Sequence, residues 1–273
     1  MSRLFTSSFS HIILFTGIFV MVVPVWMIFA SSTHTSSFIN THGLQFFLGD
    51  SFQENYLRVL LYKGGFFKEI TALKMFLNSF IMATGVALLS VVTSLMAAYA
   101  LVYYRIKYAT LLFWIIFITI LVPLELRIFP TYSVMAELNL VNSYFGLIVP
   151  ISASAIATLF FRQFYKTVPD ELLESAKLDG ASTWRFFIDF LVPLSKTMIV
   201  AMLIFMFVFG YNQYLWPLLV TSSEQYWTVV MGLKMMSGSI VHRFAFVMMS
   251  MVPPVLIIII LQKHFIKGVF QDK

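Results

Sequence analysis

The chain has 273 residues, of which 60% are hydrophobic and 11% charged, with a net charge of +6 and a mean hydropathy of +0.88. A soluble domain carries about 25% charged residues, so the composition excludes a water-soluble core and leaves an integral membrane protein. The absence of cysteine excludes disulfides, iron–sulfur clusters and thiol catalysis.

A helix that crosses a bilayer needs about 20 apolar residues. The sequence predicts six, at about 12–30, 78–102, 109–130, 141–161, 197–221 and 244–262. The expected fold is an all-α integral membrane protein, with six transmembrane helices in one domain over 1–273. The first stretch has features of a signal peptide, with Arg3 ahead of it and small residues after Phe29. Its apolar run from Ile12 to Ala30 exceeds the roughly 7–15 residues of a signal core, so it is expected to be retained.

The 31–75 connection opens with a polar, turn-like run, SSTHTSSFINTHG. FQENYLRVLLY then places Phe52, Tyr56, Val59 and Leu60 on one helical face, which predicts a short helix at the membrane surface.

The third stretch ends in PLELRIFP, with Glu125 and Arg127 between Pro123 and Pro130. A charge at mid-bilayer costs about 2.5–3.5 kcal/mol, so both should face an interior, a cavity or headgroups. At i and i+2 they do not face each other on a helix, and the prolines predict a break. The fifth stretch holds GYNQYLWPLL, with Asn212, Gln213 and Tyr214. Residues 125 and 213 each lie about 16 or 17 positions along their helices, near ~25 Å at 1.5 Å per residue, which predicts a shared depth. Arg127 suits an anion because its planar fork donates two bonds, with Asn212, Gln213 and Tyr214 as hydrogen-bonding partners. The competing reading is structural, with Glu125 and Arg127 paired to neighbouring helices and Asn212 stabilising a kink.

Between the fourth and fifth stretches lies PDELLESAKLDGASTWRFFIDFLVP, residues 169–193. It holds five of the twelve acids: Asp170, Glu171, Glu174, Asp179 and Asp189. Pro169 suits a first helical turn, with acids at the positive end of the dipole. Gly180 suits a C′ position, Ser182 an N-cap, and Pro193 an interruption before the fifth stretch. Leu172, Leu173 and Ala176 make the first helix amphipathic. Its acids would be repelled by anionic lipid, so the stripe points to a protein partner.

The N-terminus, 103–108, 162–196 and the C-terminal tail carry eleven Lys and Arg, against Arg127, Lys234 and Arg243 in or beside the short loops opposite. The 31–75 connection is set aside because long loops cross with little regard to charge. The excess places both termini and the charged segment in the cytoplasm. It also explains the positive charge without nucleic acid.

ESAKLDGASTWRFFIDFLVP resembles the cytoplasmic EAA loop of binding-protein-dependent ABC importer permeases. Glu174, Ala176, Gly180 and Pro193 match at the family spacing. Ser175, Phe190 and Val192 replace Ala, Ile and Leu. NSFIMA (78–83), IFP (128–130), NSYFGLIVP (142–150), LFFRQFYKTVPDEL (159–172) and NQYLWPLL (212–219) extend the likeness to the carbohydrate, maltose-type branch. ELRIFP and YNQYLWPLL are most similar to its sn-glycerol-3-phosphate permeases. The resemblance implies a type I importer permease whose coupling helix docks on a separate ATPase through Glu171, Leu172, Glu174, Ala176, Asp179, Gly180 and Pro193. It implies a second permease subunit, an ATPase dimer that binds ATP and Mg, an extracytoplasmic solute-binding protein and the bacterial inner membrane.

No G-x-x-x-x-G-K-[ST] occurs, and YKGGFF lacks the Lys-Ser/Thr, so no ATP site is expected in this chain. Its five histidines lack ligand spacing, and no G-x-S-x-G is present. Neither a metal, a catalytic residue nor a resident cofactor is expected. Within the family, a neutral sugar or oligosaccharide is the alternative solute. A stand-alone secondary carrier is more distant, since such carriers need acids buried mid-membrane and Glu125 is the sole acid inside a stretch.

Overall fold

The computed structural model describes residues 2–61, 70–104 and 106–270, with the backbone alone at 2–9, 124 and 263–270. Lys63, Lys68, Arg105 and Lys273 of the charge count, and YKGGFF, lie outside the described residues. Among the described residues every regular element is helical. In chain order these are α1 (Ser2–Ser32), α2 (Ser36–His42), α3 (Phe52–Leu61), α4 (Ala72–Tyr103), α5 (Ala109–Ile118) and α6 (Leu124–Glu137). Then follow α7 (Tyr144–Ile148), α8 (Ala155–Tyr165), α9 (Asp170–Leu178), α10 (Thr183–Phe186) and α11 (Val192–Leu194). The chain ends with α12 (Lys196–Tyr211), α13 (Leu215–Val220), α14 (Val229–Met235) and α15 (Ile240–Phe270).

Three helices are long and apolar enough to cross a membrane: Ser10–Ser32 of α1, Ala72–Tyr103, and Ile240–Gln262 of α15. The count reaches six if each of three bent pairs is one span. These are Ala109–Leu121 with Glu125–Glu137, bent by 104°, Tyr144–Ile151 with Ala155–Tyr165, by 48°, and Thr183–Leu194 with Lys196–Tyr211, by 75°.

Of the two prolines expected to break the third stretch, Pro123 does so. It stands at the N-cap of α6 with φ −54° and ψ 142°, an extended setting that a proline ring accepts and a helix does not. Pro130 lies inside α6 without ending it. The bend removes the straight-helix count that gave residues 125 and 213 one depth. In the fourth stretch a 3₁₀ turn at Val149–Ile151 precedes Ser154, which caps α8. Ahead of the fifth, a π-helical turn at Phe187–Leu191 runs into Pro193 and the bend, and the stretch itself breaks after Tyr211, with α13 starting at Leu215.

The chain divides into two compact units. One comprises Met1–Met75 and Gly232–Val252. Here Ala30, Ser31, Ser32 and Thr33 close α1 in a buried turn. Asn55, also buried, donates through Nδ2 to the carbonyls of Ser32 and His34 at 2.9 and 2.8 Å. The short helix predicted from Phe52 is α3. It turns Asn55 and Val59 inward and leaves Phe52 exposed, stacked on Tyr56 at 4.3 Å. Burial pushes the Tyr56 phenol up from its ordinary pKa, and a 2.8 Å hydrogen bond joins it to Ser32.

The second unit comprises Phe76–Met231 and Pro253–Lys273. Its core gathers Val91, Leu95, Ala98 and Tyr99 of α4 with Phe161 and Tyr165 of α8, Ala176 of α9, and Phe186 and Leu191 beyond. At Gly210 a Cβ would lie 3.1 Å from the Ala83 Cα, so α12 and α4 meet with little room for a side chain. Asn78, fully buried, donates to the carbonyls of Gln225 and Trp227 and accepts from the Tyr144 hydroxyl. Asn142 adopts φ +56°, accepts from the Ser223 amide and donates to Ser222. Arg162, counted as a loop charge, instead sits on the last turn of α8. It is buried, with its guanidinium over the Phe113 ring at 3.8 Å.

Candidate functional site

Inside the second unit a cavity of about 270 Å³ opens where two broken stretches meet α12 and α13. One wall is apolar and aromatic, formed by Phe205 and Phe209 of α12 and by Trp216 of α13. Opposite stand Arg127 and Thr131 of α6, Thr119, and the irregular backbone from Pro150 to Ser154. Arg127 is exposed and forms no ion pair among the described residues.

The irregular backbone is held by α4. Ser90 donates to the carbonyl of Ser152 at 2.7 Å, and Ser94, one turn on, donates to that of Ser154 at 3.1 Å. Non-helical backbone survives at membrane depth only where it is buried in protein or lines a cavity. Here it does both: Ser152 is buried, and Ser154 lines the cavity. Trp216 is held through its indole, which donates to the Gly146 carbonyl at 3.0 Å. The Thr119 and Thr131 hydroxyls donate to the carbonyls of Ile116 and Arg127. Free charge in the lining therefore rests on Arg127.

Of the residues read as solute contacts, Arg127 lines this cavity, whereas Glu125, Asn212, Gln213 and Tyr214 are not among its lining residues. Glu125 is exposed in the first turn of α6. Asn212 is the C-cap of α12, Gln213 donates back to the Phe209 carbonyl, and Tyr214 is the N-cap of α13. Sequence reasoning missed Trp216, Ser154 and the two serines of α4. A Ser-x-x-x-Ser pair on an apolar helix marks one polar face, yet nothing in the sequence names its distant partners.

The charged segment folds as two short helices around a turn. Pro169 is the N-cap of α9 rather than part of its first turn. Gly180 stands at C′ with φ +76°. The Ala181 amide donates to the Ala176 carbonyl and the Gly180 amide to that of Lys177, the two bonds of a Schellman ending. Ser182 caps α10, accepting from the Arg185 amide. The amphipathic stripe divides: Ala176 is buried in the core, with Leu173 packed against it, while Leu172 is exposed. Glu171, Glu174, Asp179, Gly180 and Pro193 are exposed as well. Tyr99 of α4 donates to the Thr183 carbonyl at 2.6 Å, and Tyr103 packs edge-on against Phe186.

The sequence profile of the binding-protein-dependent transport system inner membrane component family matches residues 90–271. The chain belongs to this family. The sn-glycerol-3-phosphate transport system permease protein UgpE of Pectobacterium atrosepticum is 39% identical over 271 residues, covering 97% of this chain and 96% of the relative. UgpE of Brucella melitensis is 37% identical, covering 96% and 95%. UgpE of Shigella flexneri is 39% identical over 278 residues, covering 100% and 99%. A bacterial ABC transporter involved in the import of the acidic polysaccharide alginate has the same fold, with TM-score 0.81 and 20% identity over 97% of this chain and 98% of that one. The chain is therefore a permease subunit of a binding-protein-dependent ABC importer, a multi-pass protein of the bacterial inner membrane. In general terms such a permease works with a partner permease, an ATPase and a binding protein, and is not itself the enzyme.

Proposed function

We propose that this permease carries a small phosphorylated polyol of the glycerol 3-phosphate kind, with the Arg127 guanidinium receiving the phosphate. The observation that carries the reading is Arg127 in the wall of the cavity, with no ion pair among the described residues. At about 270 Å³ the cavity is slightly smaller than the about 300–1,000 Å³ of pockets for drug-sized ligands, which suits a small solute. The UgpE relatives, named for sn-glycerol-3-phosphate transport, support the same substrate class. Glu125, Asn212, Gln213 and Tyr214 belong to the same path in this reading, at its rim rather than in the cavity wall.

The six stretches then act as six spans of one permease domain over 1–273, with both termini in the cytoplasm. The α9 segment is the coupling helix, meeting the ATPase through exposed Glu171, Leu172, Glu174 and Asp179 while Ala176 seats it on the bundle. Pro169 and Gly180 fix its two ends, and Pro193 stands ahead of the bend into α12. ATP and Mg stay on the ATPase dimer, and its closure moves the spans between two access states.

The aromatic wall of Phe205, Phe209 and Trp216 favours a second reading, a neutral sugar stacked on the rings. Uptake by Arg127→Ala separates the two. A hydrogen bond to a charged group contributes about 1.5–3 kcal/mol, so phosphorylated-polyol uptake is expected to fall about 10- to 100-fold with neutral-sugar uptake unchanged. Equal loss of both solutes removes the phosphate role of Arg127.

A further inference from the structure

We propose that the Leu44–Leu48 loop is a lipid anchor: it folds back beside α1 and seats its aromatic tip in the bilayer, at the membrane face where α1 ends. The position of the loop is fixed by one hydrogen bond. The Trp26 indole donates to the Phe46 carbonyl at 2.9 Å. Trp26 lies six residues before the end of α1 at Ser32, about 9 Å along the axis at 1.5 Å per residue. The chain leaves the helix, turns through α2, and comes back to a level inside the Ser10–Ser32 span.

The loop is built for an apolar medium. Phe47 is 80% exposed, and Leu44, Phe46 and Leu48 are each at least half exposed. On α1 itself Phe15, Phe19 and Met21 are exposed as well. Four backbone polar groups at and beside the tip have side-chain partners. The Phe46 carbonyl accepts from Trp26, and His34 Nε2 lies 2.9 Å from the Phe47 carbonyl, placed to donate to it. The Gln45 and Gly49 amides donate to the hydroxyls of Ser31 and Thr33. Such partners suit a loop at the headgroup and acyl boundary, where backbone groups that lack one still reach water.

Charge points the same way. No Lys, Arg, Asp or Glu occurs between Arg3 and Asp50, so a 46-residue stretch covering the span, α2 and the loop is formally neutral. Indole, phenyl and imidazole rings clustered at a span end are the composition of the membrane–water boundary. A docking face for a soluble protein would carry a charged rim, and the sequence leading to and through the loop offers no formally charged side chain before Asp50.

The chain has no cysteine, so a single introduced thiol reports alone. The full chain carrying Phe47→Cys, Leu48→Cys or Asp50→Cys is spin-labelled and placed in phosphatidylethanolamine–phosphatidylglycerol nanodiscs. Collision of the nitroxide with oxygen, enriched in lipid, is compared with collision with a water-soluble nickel chelate. The oxygen-to-nickel ratio at positions 47 and 48 is expected to exceed that at 50 by about fivefold or more, as for a side chain buried to the acyl boundary. Equal ratios at all three positions place the loop in water and overturn the proposal. Low collision with both reagents at 47 and 48 shows a protein cover instead, and overturns it too.

Discussion

The Tyr99 hydroxyl donates to the Thr183 carbonyl across 2.6 Å. It ties the last turns of the long helix α4 to the first turn of α10, immediately after the capped end of α9. The helix that carries Ser90 and Ser94 to the cavity backbone thus also holds the charged segment. Tyr99→Phe keeps the ring and its 4.7 Å contact with Phe187 and removes the one bond. Such a bond contributes about 1 kcal/mol net, close to a fivefold change in an equilibrium. Uptake per ATP hydrolysed by the reconstituted transporter is expected to fall about fivefold while hydrolysis persists. An unchanged ratio means the bond carries no motion.

Gly180 is held at φ +76° with nothing within 4 Å of where a Cβ would stand. The penalty for a side chain is therefore backbone strain alone, about 1–2 kcal/mol. Gly180→Ala should weaken co-purification of the ATPase about tenfold. Gly180→Asn should recover most of it, because asparagine enters the left-handed region more readily. If Asn behaves as Ala does, the loss comes from the surface and not from the turn.

The ends of this segment were legible because they depend on neighbours in sequence: proline before, glycine after, serine to cap. The stretches at 12–30, 78–102 and 244–262 were legible for the same reason, since each falls within one long apolar helix, α1, α4 or α15. What the sequence did not declare was the direction of the chain after each break. Pro123 and Pro130 look alike on paper, yet Pro123 stands in the break as the extended N-cap of α6, while Pro130 lies inside that helix. The cavity was half visible. Arg127 stood out as a charge in an apolar run, while Trp216 and Ser154 looked like ordinary packing and turn residues. Their role comes from contacts with residues about 60 to 70 positions away, Ser94 and Gly146, which periodicity cannot report.

Asn78 offers a stability test. Its amide serves two carbonyls and one hydroxyl with no exposure to solvent. Asn78→Leu keeps the volume and orphans all three partners, each costing about 1–3 kcal/mol when left buried and unpaired. A total near ~3 kcal/mol should lower the apparent Tm of the detergent-purified subunit by about 5–10 °C. Tyr144→Phe, which removes one of the three bonds, should cost about a third as much. Equal effects of the two variants would show that the Tyr144–Asn78 bond holds the site and that the two bonds to the Gln225 and Trp227 carbonyls add nothing.

Ser90 and Ser94 connect fold to passage most directly. Each is buried, and each donates to a carbonyl of the broken 152–154 backbone. Alanine at either position changes volume little, so its effect is electrostatic: a carbonyl at membrane depth loses its donor. The Ser152 carbonyl has the shorter bond, 2.7 Å against 3.1 Å for Ser154, and should be the costlier to orphan. With about 1–3 kcal/mol at stake per carbonyl, the break is expected to relax toward regular helix, where intrahelical amides replace the serines. That shift narrows the cavity from the Pro150–Ser154 side and moves Ser154 away from Arg127. Ser90→Ala, and more strongly the double alanine variant, should reduce solute uptake about tenfold or more with protein yield in the membrane unchanged. Uptake at the native rate in the double variant would mean that the broken backbone is held by the chain's own turns, and that α4 takes no part in shaping the path.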